Sequence, residues 1–474
     1  MNSFQSAQFA ATIYNIHMTS QHWLNPADSS IYQWEHWVQV CVPHARNVRS
    51  NGWAFIYIDG GDIPINDAQP PATMDAETPF VLPFVCQESG GISAAILDIP
   101  NEPAFFPSDW PKVKRRTEDA VIAFTWRKFF NDTANNANWL LRLPMTKAVV
   151  RAMDTVEAFA VQQNLGAVTK WVVAGASKRG WTTWTTMAVD PRIKGAVPIV
   201  MPILNTVPNV LHQFQLLGGY SFALADYADE GCIGFIERPE WAAMNAIVDP
   251  YTYISRYNMP KLLIAATGDE FFPPDSLQWF LPKLLTSGGG TLVNLVPDAE
   301  HSLATGIVDA ATSASAFYHL VRNGLPVPNY TWQIVKGNKT AQTIVQVDAA
   351  SRPYLVDVQM WKATTLSTSR RDFRLVTCTD FTMGGCFQPV AWWPTTLHES
   401  APGQYVASSA PPIAGWSAFN VQLIFEYPDS FTGYNHTLTV TTEINTIPDT
   451  LPFKKCNFCN CGANCGPLPG PVGK

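Results

Sequence analysis

Long apolar runs are missing from this 474-residue chain, and no stretch approaches the roughly 20 residues that a helix needs to cross a bilayer. A helical membrane span is therefore not expected. Charge is sparse as well: 15% of residues are charged, the net charge is −7, and the densest basic cluster is Lys112-Val113-Lys114-Arg115-Arg116. That composition gives no electrostatic footprint for nucleic acid or an anionic membrane surface, and the short cluster is expected to be a solvated loop. Residues 1–20 have neither a charged n-region nor an apolar core, so no secretory leader is legible in them. Repeats and long low-complexity runs are absent too. What the chain does have is size and apolar content, 47% hydrophobic over a length that exceeds one ordinary domain, which predicts a large core and two domains.

The most informative segment is Gly175-Ala176-Ser177-Lys178-Arg179-Gly180, set between the apolar run Trp171-Val172-Val173-Ala174 and an amphipathic stretch that ends at Asp190-Pro191. It reads as a nucleophile elbow, in which a strand ends in a sharp turn that lifts a serine hydroxyl above a sheet. Small residues are needed there because strand and helix approach closely. The usual pattern is G-x-S-x-G; here the second glycine falls one residue late and Arg179 stands in its place. A plain Gly-Ser turn is the rival reading of the motif taken alone.

Downstream order favours chemistry. The strand-like run Lys261 to Ala266 leads to Thr267-Gly268-Asp269-Glu270, and Thr291 to Pro297 leads to Asp298-Ala299-Glu300-His301. Ser, acid and His in that chain order are what α/β-type hydrolases use, and ligands of open parallel sheets bind at the carboxyl ends of strands. Serine is a poor nucleophile until a base takes its proton, and a carboxylate must hold the imidazole in one tautomer. Ser177 is thus the expected nucleophile, His301 the base and Asp269 the orienting acid. Glu270 is expected to face solvent or a cap. Each member has a bland alternative: Asp269 as a Gly-Asp turn, His301 as a loop residue.

An oxyanion site is expected at Asp59-Gly60-Gly61-Asp62, where the strand Trp53 to Ile58 ends in paired glycines. Its partner is the backbone N–H of Lys178, whose ammonium would add charge nearby; a tight turn is the rival reading of Gly60-Gly61. No cofactor is called for.

Met145, Val149, Ala152, Val156 and Phe159, followed by Gly166, predict an amphipathic helix just before the elbow strand. Trp34 to Val42 alternates and predicts antiparallel strands. Residues 205–257 interrupt the strand–helix alternation and are expected to be a cap insertion, with Phe214, Tyr220, Phe222, Tyr227 and Trp241 lining a substrate pocket or packing a small subdomain. After about residue 325 short strands separated by Pro, Gly and Ser predict a β-sandwich. The expected organisation is an α/β-hydrolase domain over 1–325, an antiparallel β-sandwich over 326–450 and a Cys-rich, Pro/Gly tail over 451–474. Trp361, Trp392, Trp393 and Trp416 of the sandwich are expected in its core, with a sugar-stacking platform as the alternative.

Four of nine cysteines crowd into Cys456, Cys459, Cys461 and Cys465, and Cys378 and Cys386 bracket a short loop. Disulfides are the expected reading, a metal site in the tail the rival.

Ser20-Gln21-His22-Trp23, Tyr57-Ile58-Asp59-Gly60-Gly61, Trp139 to Ala148, the Ser177 elbow with Arg179-Gly180-Trp181, and Gly268-Asp269-Glu270-Phe271-Phe272 together resemble the PhoPQ-activated pathogenicity-related protein family. The resemblance covers most of the chain. It implies the α/β-hydrolase fold and a secreted habit shared by bacterial proteins and amoebal, proliferation-repressor-like relatives. Over the elbow alone the chain is also similar to glucuronoyl esterases. With the cysteines and 17 tryptophans, the resemblance implies an extracellular protein whose leader is not in this sequence. The expected activity is serine hydrolysis of an ester or peptide bond. The alternatives are a signalling protein that uses the fold for contact with a cell-surface receptor, and carbohydrate binding by the C-terminal domain.

Overall fold

Polar–apolar alternation near the start and unbroken apolar runs later correspond to two kinds of strand in the computed structural model. It describes residues 2–5, 10–44, 52–61, 78–109, 111–379, 386–429, 433 and 435–455. Spatial clustering divides the chain into two units, Met1–Ile199 with Pro239–Met259, and Val200–Arg238 with Pro260–Lys474.

The first unit runs β1 (Asn2–Gln5), β2 (Ala11–His22), β3 (Gln33–Pro43), β4 (Trp53–Ile58), α1 (Thr78–Ser89), β5 (Ile92–Ile96), α2 (Glu118–Asn131), α3 (Arg142–Gln162), β6 (Lys170–Ala176), α4 (Lys178–Val189) and β7 (Ile193–Ile199). Spatial order is β1-β2-β3-β5-β4-β6-β7. The β1–β2, β2–β3 and β3–β5 pairs are antiparallel. The β5–β4, β4–β6 and β6–β7 pairs are parallel. Much of β2 alternates buried and partly exposed residues, as a strand covered on one face should. By contrast, β5 is buried at every position and β4 at all but its first, which is why they read as continuous apolar runs. The predicted helix is α3, with Met145, Val149, Ala152, Val156 and Phe159 buried. Arg116 departs from the solvated loop expected of its cluster: it is 5% exposed and forms an ion pair with Asp109 at 2.8 Å while its guanidinium lies over Phe124.

Residues 205–257 are helical and carry α5 (Thr206–Leu217), α6 (Ala225–Asp229) and α7 (Pro239–Val248). The first two belong to the second unit and α7 to the first, where Trp241 packs edge-on against Trp126 and stacks on Phe130 of α2.

In the second unit β8 (Lys261–Ala266) pairs in parallel with β9 (Thr291–Val296), with α8 (Leu281–Leu284) between them and α9 (Ile307–Asn323) after them. The chain then turns to strands: β10 (Tyr330–Val335), β11 (Ala341–Val347), β12 (Leu355–Thr364), β13 (Trp393–Thr396), β14 (Gln404–Ser409), β15 (Ser417–Pro428), β16 (Asn435–Thr441) and β17 (Asn445–Ile447). They form two antiparallel sheets, β10-β11-β14 and β13-β12-β15-β16 with β17 on β15. An α/β-hydrolase fold followed by antiparallel sheets is therefore the architecture. Trp392 and Trp416 are buried and Trp361 is half-buried; of the four, Trp393 alone is exposed, at 71%, so they make no common stacking face.

Cys378 and Cys386 are bonded, as their spacing suggested, and a second disulfide joins Cys41 of β3 to Cys86 of α1. The tail cysteines Cys456, Cys459, Cys461 and Cys465 lie outside the described residues.

Candidate active site

Ser177 stands between β6 and α4 at φ 54°, ψ −125°, a backbone region that a residue with a side chain occupies at a cost. The elbow is held by backbone bonds on both sides: the Ser177 N–H donates to Ile199 O at 2.9 Å, and Trp181 N–H donates to Ser177 O at 3.0 Å. The small residue before it is a steric requirement, because a Cβ on Gly175 would stand 2.9 Å from Arg179 O and 3.0 Å from Ile58 Cβ. Glycine is therefore needed two residues before the serine, where β6 and α4 approach. It is not needed at 179.

Arg179 uses the room. Its Nε donates to Ile99 O at 2.5 Å, and its two terminal nitrogens reach the Glu118 carboxylate at 2.9 and 2.5 Å. Lys178 was expected to bring its ammonium to the oxyanion. Instead its Nζ lies 2.6 Å from Glu118 and 3.0 Å from Asp119, inside the protein. Those two cations hold the Glu118 carboxyl well below the usual carboxylate range against the opposing effect of burial. The charge serves to anchor α4 to α2. Arg142 adds a bond from its Nη1 to Lys178 O at 2.9 Å.

At the glycine pair, the Gly60 N–H donates to Asp59 Oδ1 at 2.8 Å. Gly61 has φ +135°, and a Cβ there would lie 2.7 Å from Asp98 Oδ1, so this turn needs glycine for conformation and for space. Of the expected oxyanion donors, the Gly60 amide is thus already engaged by its neighbour's side chain. Asp62, next in the sequence, is outside the described residues.

In the second unit Asp269 and His301 meet. The His301 Nδ1 is 2.9 Å from both Asp269 oxygens, and the carboxylate is 2% exposed. Asp269 Oδ1 also accepts the N–H of Phe271 at 2.7 Å and of Phe272 at 3.1 Å, which fixes its plane. The Phe271 ring packs on the imidazole with centroids 4.3 Å apart. Gly268 makes the junction possible: its N–H donates to Ala299 O at 2.9 Å, and a Cβ would strike Leu375 at 2.4 Å. Glu270 does not simply face solvent, because its Oε2 accepts the backbone N–H of His301 at 3.1 Å. Burial, then the charge of Asp269, pushes the Glu270 carboxyl above its ordinary value.

Of the aromatic residues expected at a pocket, Tyr220 and Trp241 are 1% and 3% exposed and Phe214 packs against Tyr220 at 5.5 Å. Sequence reasoning passed over Glu118 and Asp119. The signal was present, since two adjacent cations at the start of a helix following a buried strand require carboxylates nearby.

A Dictyostelium discoideum relative, autocrine proliferation repressor protein A, is 41% identical over 458 residues, spanning 95% of this chain and 88% of the relative. Similar solved structures include acetyl xylan esterase 1 from a Thermoanaerobacterium species, with a TM-score of 0.41 at 14% identity over 66% of this chain and 85% of that one. The acylaminoacyl peptidase of Pyrococcus horikoshii has a TM-score of 0.38 at 11% identity over 66% and 42%. The family described as PhoPQ-activated pathogenicity-related protein matches residues 1–374. By that match, and by its likeness to the Dictyostelium protein along nearly its whole length, the chain belongs to the PhoPQ-activated pathogenicity-related protein family.

Proposed function

We propose that the protein is a secreted serine hydrolase that cleaves an ester or peptide bond, with Ser177 as nucleophile, His301 as base and Asp269 as its orienting acid. The observation that carries the reading is the Asp269–His301 pair. An ionised carboxylate can only accept, so Nδ1 must hold the proton and the neutral ring presents a lone pair at Nε2. That is the atom needed to take the hydroxyl proton of a serine. The strained backbone at Ser177, two residues after the close approach at Gly175, is the second support.

In this mechanism Ser177 Oγ attacks the carbonyl carbon as His301 Nε2 takes its proton, and the N–H groups of Gly61 and Lys178 receive the oxyanion. The imidazolium then protonates the leaving alkoxide or amine, and water repeats the sequence on the acyl-enzyme. Secretion is supported by the two disulfides, which persist in oxidising compartments. A fluorophosphonate probe tests the reading without knowledge of the substrate. It should modify Ser177 stoichiometrically and leave a folded Ser177→Ala variant unmarked, whereas a folded, unreactive wild type would refute it.

A second reading is favoured by the name of the Dictyostelium relative: an extracellular repressor of proliferation that uses the fold for receptor contact. Retention of repressor activity by the Ser177→Ala variant would select it.

A further inference from the structure

We propose that His319, Asp429 and His436 form a binding site for a divalent transition metal, zinc by ligand type, that fastens α9 to β16. One potential ligand atom from each residue lies within 4.8 Å of the other two. The His436 Nε2 is 3.3 Å from Asp429 Oδ2, and His319 Nδ1 is 3.9 Å from the same oxygen. Tetrahedral zinc with bonds of about 2.0–2.2 Å places its ligand atoms about 3.3–3.5 Å apart. One pair is already at that spacing, and the others need shifts that side-chain rotation supplies.

The hydrogen bonding of His319 is compatible with its Nδ1 acting as a ligand. The Asn323 side-chain amide donates from Nδ2 to His319 O at 2.9 Å, which fixes its orientation, and the same Nδ2 lies 3.3 Å from His319 Nδ1. A second N–H aimed at Nδ1 keeps that nitrogen in its lone-pair form. Nδ1 has a single in-plane lone pair, so a metal bound there would take the place of the Asn323 contact. A lone-pair nitrogen is the form a metal takes.

Burial points the same way. His319, Asp429 and His436 are 5%, 8% and 3% exposed, so an ion held by them would be shielded from water. The two imidazole rings stack with centroids 3.9 Å apart and planes 28° apart, so one ring must turn for both lone pairs to aim at a single ion. The three ligands come from α9, from the residue after β15 and from the second residue of β16. Such a metal joins the last helix of the hydrolase fold to the sheet that follows it. Two imidazoles and one carboxylate suit zinc, and the remaining tetrahedral position is left for water.

The test is direct metal analysis of the full chain, loaded with zinc sulfate and then desalted, beside His319→Ala/His436→Ala and Asp429→Asn. Wild type should retain about one zinc per chain and the double variant less than about a tenth of that, with Asp429→Asn binding more weakly. Cobalt in the same site should give tetrahedral visible bands without a thiolate charge-transfer band, which separates it from the tail cysteines. A wild-type protein that retains no zinc, or a double variant that retains it in full, would overturn the proposal. Circular dichroism establishes that the variants are folded, and the wild-type stoichiometry stands without them.

Discussion

At the scale of single residues, the adjacent carboxylates Asp269 and Glu270 divide the work on one histidine. Asp269 touches the ring and sets its tautomer, while Glu270 holds the backbone N–H that fixes where the ring begins. Asp269→Asn keeps the shape but presents an amide whose N–H can donate to Nδ1, favouring the wrong tautomer, and turnover should fall by about 10⁴. Glu270→Gln still presents an oxygen to the His301 N–H, so its loss in kcat should stay below about tenfold. Measuring kcat of the two variants on any ester that is turned over decides the assignment, and the reverse ranking would sink it. The proposed triad of Ser177, Asp269 and His301 could be nominated from the sequence because each follows an apolar run of strand length. The role of Glu270 was not, because a bond to a neighbouring loop's backbone leaves no pattern in the sequence.

At the scale of elements, the elbow helix is secured by charge rather than by packing alone. The first residue of α2, Glu118, has φ 53°, donates its N–H to Glu102 Oε2 at 2.5 Å and pairs through its side chain with Lys178 and Arg179 at the start of α4. Burial, and then the Glu118 charge, raise the Glu102 carboxyl from 4.5 to about 8. The folded protein therefore binds this proton more tightly than the unfolded chain does. Its contribution is fully present below pH 4.5 and is lost as pH rises through about 8. Glu102→Gln keeps an acceptor for the Glu118 N–H and carries no charge to desolvate. Its unfolding midpoint should exceed that of wild type at pH 8.5 or so and converge with it near pH 4.5, as followed by denaturant titration at each pH. A gap that is constant with pH would show that Glu102 is ionised throughout. Helix α3 and the elbow could be read from spacing alone, whereas for this clamp the adjacent cations at 178 and 179 signalled a need for carboxylates without identifying them. Its members are 102, 118, 119, 178 and 179, brought together only by the fold.

At the scale of the whole molecule, spacing in the sequence pointed to Cys378 and Cys386 and to the tail, and gave no sign of Cys41 and Cys86. Clustering made the tail conspicuous, yet the bond that closes the longer loop, Cys41 to Cys86, spans 45 residues and joins a strand to a helix with no local sign of pairing. Both cysteines are completely buried, so as thiols they would also have passed for ordinary core residues. Closing a loop of this length removes freedom from the unfolded chain and contributes about 4 kcal/mol, against about 2.5 kcal/mol for the eight-residue separation of Cys378 and Cys386. Cys41→Ala/Cys86→Ala should thus unfold at distinctly lower denaturant than Cys378→Ala/Cys386→Ala. The same crosslink bears on the proposed secretion, because disulfides form and persist where thiols oxidise. Protein recovered from such a compartment, denatured without reductant and alkylated, should show Cys41 and Cys86 unmodified and joined in one pair of peptides. Alkylation of both would mean that the thiols are reduced, and with it the case for secretion would lose its structural support.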